Sequence, residues 1–307
     1  MNANMPLESL LPTTIPEYLE HLRAALRGAD PAMVQDALYD AEEYLRSELA
    51  EQSGKSEAEV IASVAGSYGA PEEVAEIYRD TEVTVNRALR APPPRKRESA
   101  LGKFFGVVVD PRTYGALFYM LLSLATGIVY FTVVTTGVSL SLGLMILIVG
   151  IPLLVMFLAL IRVLSLVEGR IVEVLLGERM PRRPLYTQRG KGWLERIKEI
   201  FTDGRTWTAM LYFLLMLPLG VAYFTAAVTL LSVSLAFIAA PFGYLFANSG
   251  FGMTLGDYDL AVNAPWALPL LSVAGVILLF ATLHLARGIG KLHGLLAKHL
   301  LVRNPVV

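Results

Sequence analysis

The chain has 307 residues, 54% of them hydrophobic, 17% charged and none cysteine, with a mean hydropathy of +0.53. A soluble domain carries nearer to about 25% charged residues, so the shortage points to a membrane. The absence of cysteine excludes disulfides, thiolate metal sites and a cysteine nucleophile, and leaves the redox compartment open.

The net charge of −1 hides a division. Residues 1–90 hold 17 Asp/Glu against 7 Lys/Arg, while residues 91–307 hold 10 against 19. The first part reads as a solvated acidic head and the second as an apolar body with basic loops suited to an anionic membrane face. The N-terminus has neither a basic n-region nor an apolar h-region. No secretory signal is expected, and the head is expected in the cytoplasm.

The head, residues 14–90, reads as four short amphipathic helices. Thr14 with Glu17, and Ser56 with Glu59, have the spacing of helix-start capping boxes. Tyr18, Leu22, Ala25 and Leu26 recur at helical spacing, as do Val34, Leu38, Ala41, Leu45 and Leu49. Val60, Ile61 and Val64 mark a third helix. Pro71, Glu72 and Glu73 suit the first turn of a fourth. Helices this short must pack on one another to persist. The acids read more simply as solvated surface than as a metal site, since no calcium-loop pattern is present.

EYLEHLRAAL, DALYDAEEYLRSEL, GKSEAEVIASV and YGAPEEVAEIY together resemble the bacterial HAAS signalling domain (DUF1700-like), over roughly residues 15–85. The resemblance implies an all-helical interaction module and brings no catalytic residues.

Residues 91–103 form a Pro- and Arg/Lys-rich linker. Its three prolines favour a stiff extended spacer, and its basic residues suit the inner membrane surface. From Thr113 to Ile161 no residue is charged. A single helix of that length would reach roughly 74 Å, more than twice a bilayer core of about 30 Å. The run must fold back, and the Thr/Ser-rich stretch 135–141 is the expected turn. Spans are expected at about 114–137, 141–163, 207–231 and 267–287, within a membrane domain of residues 104–303. Residues 193–201 read as an interfacial helix, and 233–246 as a half-helix or re-entrant piece. Residues 246–266 read as an outer acidic loop. Basic residues follow the second and fourth spans, which places both termini in the cytoplasm.

The body is duplicated. Shifted by 93, residues 110–142 match 203–235 at 16 of 33 positions without a gap. The identities include Asp110/Asp203, Arg112/Arg205, Tyr119/Tyr212, Gly127/Gly220 and the triplets Tyr130-Phe131-Thr132 and Tyr223-Phe224-Thr225. Asp-x-Arg-Thr-aromatic, Gly-x-x-Tyr-Phe-Thr, Ser-x-Ser and Gly-Ile-Pro occur in order. Together they resemble the bacterial four-span sensor domain that usually precedes a histidine kinase core. No kinase core is expected within residues 1–307, and none of His21, His284, His293 and His299 is expected in a kinase dimerisation helix. Any output is therefore expected through the head or a separate partner.

Arg112 and Arg205 read as headgroup anchors by snorkelling, with Asp–Arg pairing or lipid-phosphate recognition as the sharper alternative. Tyr130, Thr132, Tyr223 and Thr225 are polar within spans and are expected to face the bundle, as interhelical hydrogen bonds or as a ligand site. Ser139, Ser141, Ser232 and Ser234 read as turn caps rather than nucleophiles. His284 reads as a hydrogen-bonded interfacial residue. Asp257 and Asp259 mark the outer loop. No Asp, Glu, Lys or Arg is expected at mid-depth in a span.

The expectation is an all-α protein of the bacterial inner membrane, not an enzyme and without a cofactor. It is a sensor that passes a membrane or outer signal to a cytoplasmic partner. The alternative is a small transporter or a transporter subunit. Expected partners are membrane lipids and a cytoplasmic regulator or separate kinase acting through residues 14–90. Nucleic acid is not expected, and homo-oligomerisation stays open.

Overall fold

The computed structural model describes residues 12–52, 54–89, 99–147, 149–183, 198, 201–245, 254–255, 258–259 and 263–302. The fold is all-α. The head holds α1 (Ile15–Ala25), α2 (Pro31–Glu51), α3 (Glu57–Ala65) and α4 (Pro71–Leu89). Local signals set their starts. Asp30 accepts from the Ala32 N–H ahead of Pro31. The Ser56–Glu59 capping box is complete in both directions. At α1 the Glu17 N–H donates to Thr14 Oγ1, but the Glu17 carboxylate reaches Thr13 instead. Tyr18, Leu22, Leu26, Ala37, Ala41, Leu45, Val60, Ile61, Val64 and Val74 form the buried centre. The Tyr18 hydroxyl donates to the Gly69 carbonyl at 2.8 Å, and burial pushes that phenol up from its ordinary range.

Helix α5 (Ala100–Phe105) and a 3-10 turn at Gly106–Val109 lead into the body. The body comprises α6 (Pro111–Gly143), α7 (Gly150–Leu176), α8 (Gly204–Leu245) and α9 (Ala267–Leu301). Each is long and apolar enough to cross a membrane. Between α8 and α9, β1 (Thr254–Leu255) pairs antiparallel with β2 (Tyr258–Asp259).

All four expected span ends move. The first hairpin turns after Gly143, beyond the Thr/Ser-rich stretch, not within it. Threonine and serine satisfy themselves inside a helix by bonding the carbonyl one turn back. Thr135 does so to Phe131 at 2.8 Å, and Ser234 does so to Leu230. Residues 233–245 simply extend α8 and are not re-entrant, with Pro218 and Pro241 accommodated inside the helix. Helices α7 and α9 continue well past 163 and 287. The linker at 91–98, most of the interfacial stretch 193–201, and Asp257 lie outside the described residues.

The duplication is a pseudo-two-fold. Asp110 caps α6 through the Arg112 N–H, and Asp203 caps the start of α8 through the Arg205 N–H. The Tyr114 hydroxyl bonds the Val108 carbonyl, and the equivalent Trp207 indole bonds the Phe201 carbonyl. A Cβ added to Gly127 would lie 2.5 Å from the Met216 carbonyl oxygen, and one added to Gly220 would lie 2.3 Å from that of Ser123. Ser123 and Met216 are themselves repeat mates. The two glycines therefore let α6 and α8 cross backbone against backbone.

The second helices of the hairpins obey the same symmetry at a longer spacing of 125, which relates Arg162 to Arg287, Glu168 to His293 and Gly169 to Gly294. Arg162 pairs with Asp203 at 3.0 Å, and Arg287 approaches Asp110 at 3.0 Å. Each second helix is thus tied to the first-helix cap of the other copy.

Candidate functional site

Near the head-side end of the bundle, six polar side chains meet. Tyr119, Glu168, Tyr212 and His293 each lie eight residues from the head-side end of their own helix, which is about 12 Å of helical rise. All four are at most 1% exposed. Tyr130 lies deeper along α6, and Tyr223 deeper along α8.

The contacts converge on Glu168. One carboxylate oxygen, Oε1, accepts from the hydroxyls of Tyr119 at 2.7 Å and Tyr212 at 2.8 Å. The other, Oε2, accepts from Tyr130 at 2.9 Å. His293 Nε2 lies 2.6 Å from the Tyr119 hydroxyl and 2.9 Å from that of Tyr212. Its Nδ1 faces Tyr223 at 3.4 Å. The two central tyrosine hydroxyls stand 3.4 Å apart. Phe213 stacks obliquely on Tyr130, and Met216 sulfur closes the side next to Tyr119. Each copy of the duplication thus gives two tyrosines and one titratable residue, and the copies differ only in that residue, glutamate against histidine. A carboxylate in an apolar interior needs donors on all sides, and three phenols provide them.

The α7 helix that carries Glu168 runs on to a second polar focus outside the bundle. It ends at Gly177, whose φ of +74° is the left-handed cap that turns the chain back. The turned segment, Glu178–Arg183, meets the head. Asp36 Oδ1 accepts from the backbone N–H groups of Arg182 at 2.7 Å and Arg183 at 2.9 Å. Around this contact Arg179 pairs with Glu82 at 2.7 Å, Arg183 with Asp40 at 3.2 Å, and Lys298 with Asp30. Gln35 donates to the Arg183 carbonyl at 2.7 Å and accepts from Arg205 at 3.0 Å. Burial pushes the Asp36 carboxyl up from its ordinary value. The two backbone donors and Arg179 oppose that shift.

The expected site residues divide. Tyr130 and Tyr223 do face the bundle and join the cluster. Thr132 and Thr225 do not: both are exposed on the outside of their helices. They follow the tyrosines by two residues, which at about 100° per residue turns them to the far face. The Arg205 guanidinium donates to Gln35 of the head at 3.0 Å. The Arg112 side chain is exposed, and the ionic partner of its neighbour Asp110 is Arg287. Asp259 lies in the short ladder. His284 is hydrogen-bonded as expected, to the Phe104 carbonyl at 3.0 Å.

Glu168 is a charged residue that the expected spans did not include. It lies within α7, a candidate span, beyond the end at 163 that the sequence suggested. The signal that finds it is Glu168-Gly169 and Leu175-Leu176 against His293-Gly294 and Leu300-Leu301 at the constant spacing of 125.

Four apolar bundle helices built from two hairpins, with a largely buried polar cluster between them, define a multi-pass membrane protein. A family model described as "Putative sensor" matches residues 119–301, more than half of the chain. The chain belongs to that family. No curated protein and no solved structure matches it.

Proposed function

We propose that this protein is a signalling sensor of the bacterial inner membrane, not an enzyme, whose cytoplasmic head is the output. The observation that carries the reading is the Asp36 carboxylate held by two backbone N–H groups immediately after α7. It couples the head to the helix that presents Glu168 to the other three bundle helices. A shift of α7 in response to a membrane or outer stimulus changes the Arg179–Arg183 geometry and thereby the hold on the head. The released acidic face of α2 is then open to a cytoplasmic regulator or separate kinase. The HAAS-like sequence of the head, the acidic/basic division of the chain and its basic loops support this orientation, with both termini inside.

The test uses the full chain in lipid nanodiscs, with a spin label on an introduced cysteine in the head and another in the body. The native chain has no cysteine to interfere. Asp36→Ala is expected to lengthen the label distance and to change signalling output in cells. A head that stays docked in every condition that alters output would overturn the reading.

Glu168 is also the one observation that favours transport, because a carboxylate within a span suits ion coupling. Substrate flux in proteoliposomes of the purified protein would establish that alternative.

A further inference from the structure

The buried cluster invites a count of its hydrogens. Suppose Glu168 is a carboxylate. Tyr119, Tyr130 and Tyr212 each own one hydroxyl proton, and all three spend it on Glu168. The Tyr119 and Tyr212 oxygens must then accept from His293, so Nε2 carries the ring proton and Nδ1 is left as an acceptor. Tyr223 supplies that acceptor with its hydroxyl. Every group is satisfied, and the closed site holds one net negative charge.

Among the described residues no cation is paired with that charge, and Glu168 is in no ion pair. The bases on the surrounding elements are directed elsewhere: Arg162 to Asp203, Arg170 and Arg182 to Glu173, Arg287 to Asp110, and Lys298 to Asp30. Lys291 is exposed. Glu178, packed where Gly294 has no side chain, adds a second acid near His293. The groups facing the cluster are therefore Tyr119 and Tyr130 from α6, Glu168 from α7, Tyr212 and Tyr223 from α8, His293 from α9, and Glu178 beyond α7.

One further proton fits without moving a heavy atom. Placed on His293 Nδ1, it donates to the Tyr223 oxygen across the same 3.4 Å, and the Tyr223 hydroxyl changes from donor to acceptor. The site becomes a neutral carboxylate–imidazolium pair bridged by Tyr119 and Tyr212. The six side chains already touch one another.

We propose that the Glu168–His293 cluster is a binding site for one exchangeable proton, and that this proton is the ligand the bundle senses. The inference rests on the sensor reading for its consequence but not for its chemistry. Glu168 and His293 occupy equivalent positions in the duplication. The effect on the bundle follows from burial. A net charge sealed among apolar helices favours a packing that keeps all three phenols on Glu168, and neutralisation removes that requirement.

The experiment measures proton uptake by the full chain in nanodiscs, in weak buffer with an indicator dye, as the pH falls from about 8 to about 5. The same samples carry the head–body spin labels. The wild type is expected to take up one more proton per chain than His293→Gln and than Glu168→Gln. Its label distance is expected to change with pH, and that of His293→Gln is not. Equal uptake by all three proteins overturns the proton site and leaves the sensor reading standing. Site-specific uptake with a head that never moves sustains the proton site and overturns the sensor reading. Should Glu168→Gln not fold, Tyr223→Phe removes only the hydroxyl facing Nδ1. Its His293 ring titration, followed by NMR, must differ from that of the wild type, and an unchanged curve overturns the proposal.

Discussion

Glu168 and His293 occupy equivalent places in the two halves of the bundle, and both reach the same pair of hydroxyls, those of Tyr119 and Tyr212. The symmetry axis thus passes through a site that is symmetric in shape and asymmetric in chemistry. A duplicated hairpin with glutamate at both positions would bury two like charges. One with histidine at both would offer the phenols a single acceptor nitrogen per ring in place of the two carboxylate oxygens. The unlike pair satisfies every donor.

Removing the acceptor should cost more than removing any one donor. Glu168→Ala leaves the Tyr119, Tyr130 and Tyr212 hydroxyls without their carboxylate, and each orphaned buried hydroxyl costs about 1–3 kcal/mol. A loss on the order of 3 kcal/mol or more in bundle stability is expected. Tyr130→Phe, which deletes one of three donors, is expected to cost only about 1 kcal/mol. Thermal unfolding in detergent compares the two, and equal losses would show that the carboxylate is not the hub.

The glycine crossing gives a paired prediction. Gly127→Ala and Gly220→Ala each drive a Cβ into a backbone carbonyl of the facing helix, at 2.5 Å and 2.3 Å. Backbone cannot swing aside as a side chain can, so α6 and α8 must separate, at about 1–3 kcal/mol for each substitution. The two losses are expected to be similar because the contacts are symmetry mates. Gly143→Ala, with nothing within 4 Å, should be close to neutral. The same unfolding assay decides, and an unaffected Gly220→Ala would contradict the crossing.

The sequence exposes some of this arrangement and hides the rest. Four spans follow from run length, since the uncharged stretch Thr113–Ile161 is too long for one crossing. The head follows from period and caps, and Ser56–Glu59 forms as its spacing implies. Tyr130 and Tyr223 are visible because the repeat doubles them. Thr132 and Thr225 are doubled as well, yet helical rotation sends them outward, so doubling alone does not assign a face. Glu168 and His293 escape because the spacing between copies lengthens from 93 to 125 beyond the first helices, and an ungapped comparison stops before it reaches them. The docking of Asp36 onto Arg182 and Arg183 leaves no linear trace: its acceptor is a side chain and its donors are backbone.

The crossed ion pairs should differ in strength. Arg162 and Asp203 meet at 3.0 Å as a hydrogen-bonded pair. Arg287 lies equally near Asp110, but that carboxylate's Oδ2 makes no hydrogen bond. Charge-assisted hydrogen bonds outrank bare proximity, and a half-exposed arginine contributes little. Arg162→Ala is expected to destabilise by about 1 kcal/mol, and Arg287→Ala by a few tenths at most. Double-mutant cycles with Asp203→Asn and Asp110→Asn measure both couplings. A larger coupling for Arg287 would refute the ranking.

Asp36 supplies a pH signature at the other end of α7. Burial raises its docked pKa above the ordinary 3.8, while in the released head the group is open to water. The docked state therefore binds the proton more tightly. The contribution of this group to docking is fully present below 3.8 and is lost as pH rises through the docked value. Asp36→Asn keeps an Oδ1 acceptor for the Arg182 and Arg183 N–H groups and removes the buried charge. It should dock at least as well as the wild type near neutrality, and the part of the pH dependence due to Asp36 should vanish. Asp36→Ala leaves both N–H groups without their acceptor and should weaken docking by about 2 kcal/mol, roughly thirty-fold. Label distances across pH for the three proteins separate the effects. Failure of Asp36→Asn to dock would mean that the charge, not the two backbone hydrogen bonds, holds the head.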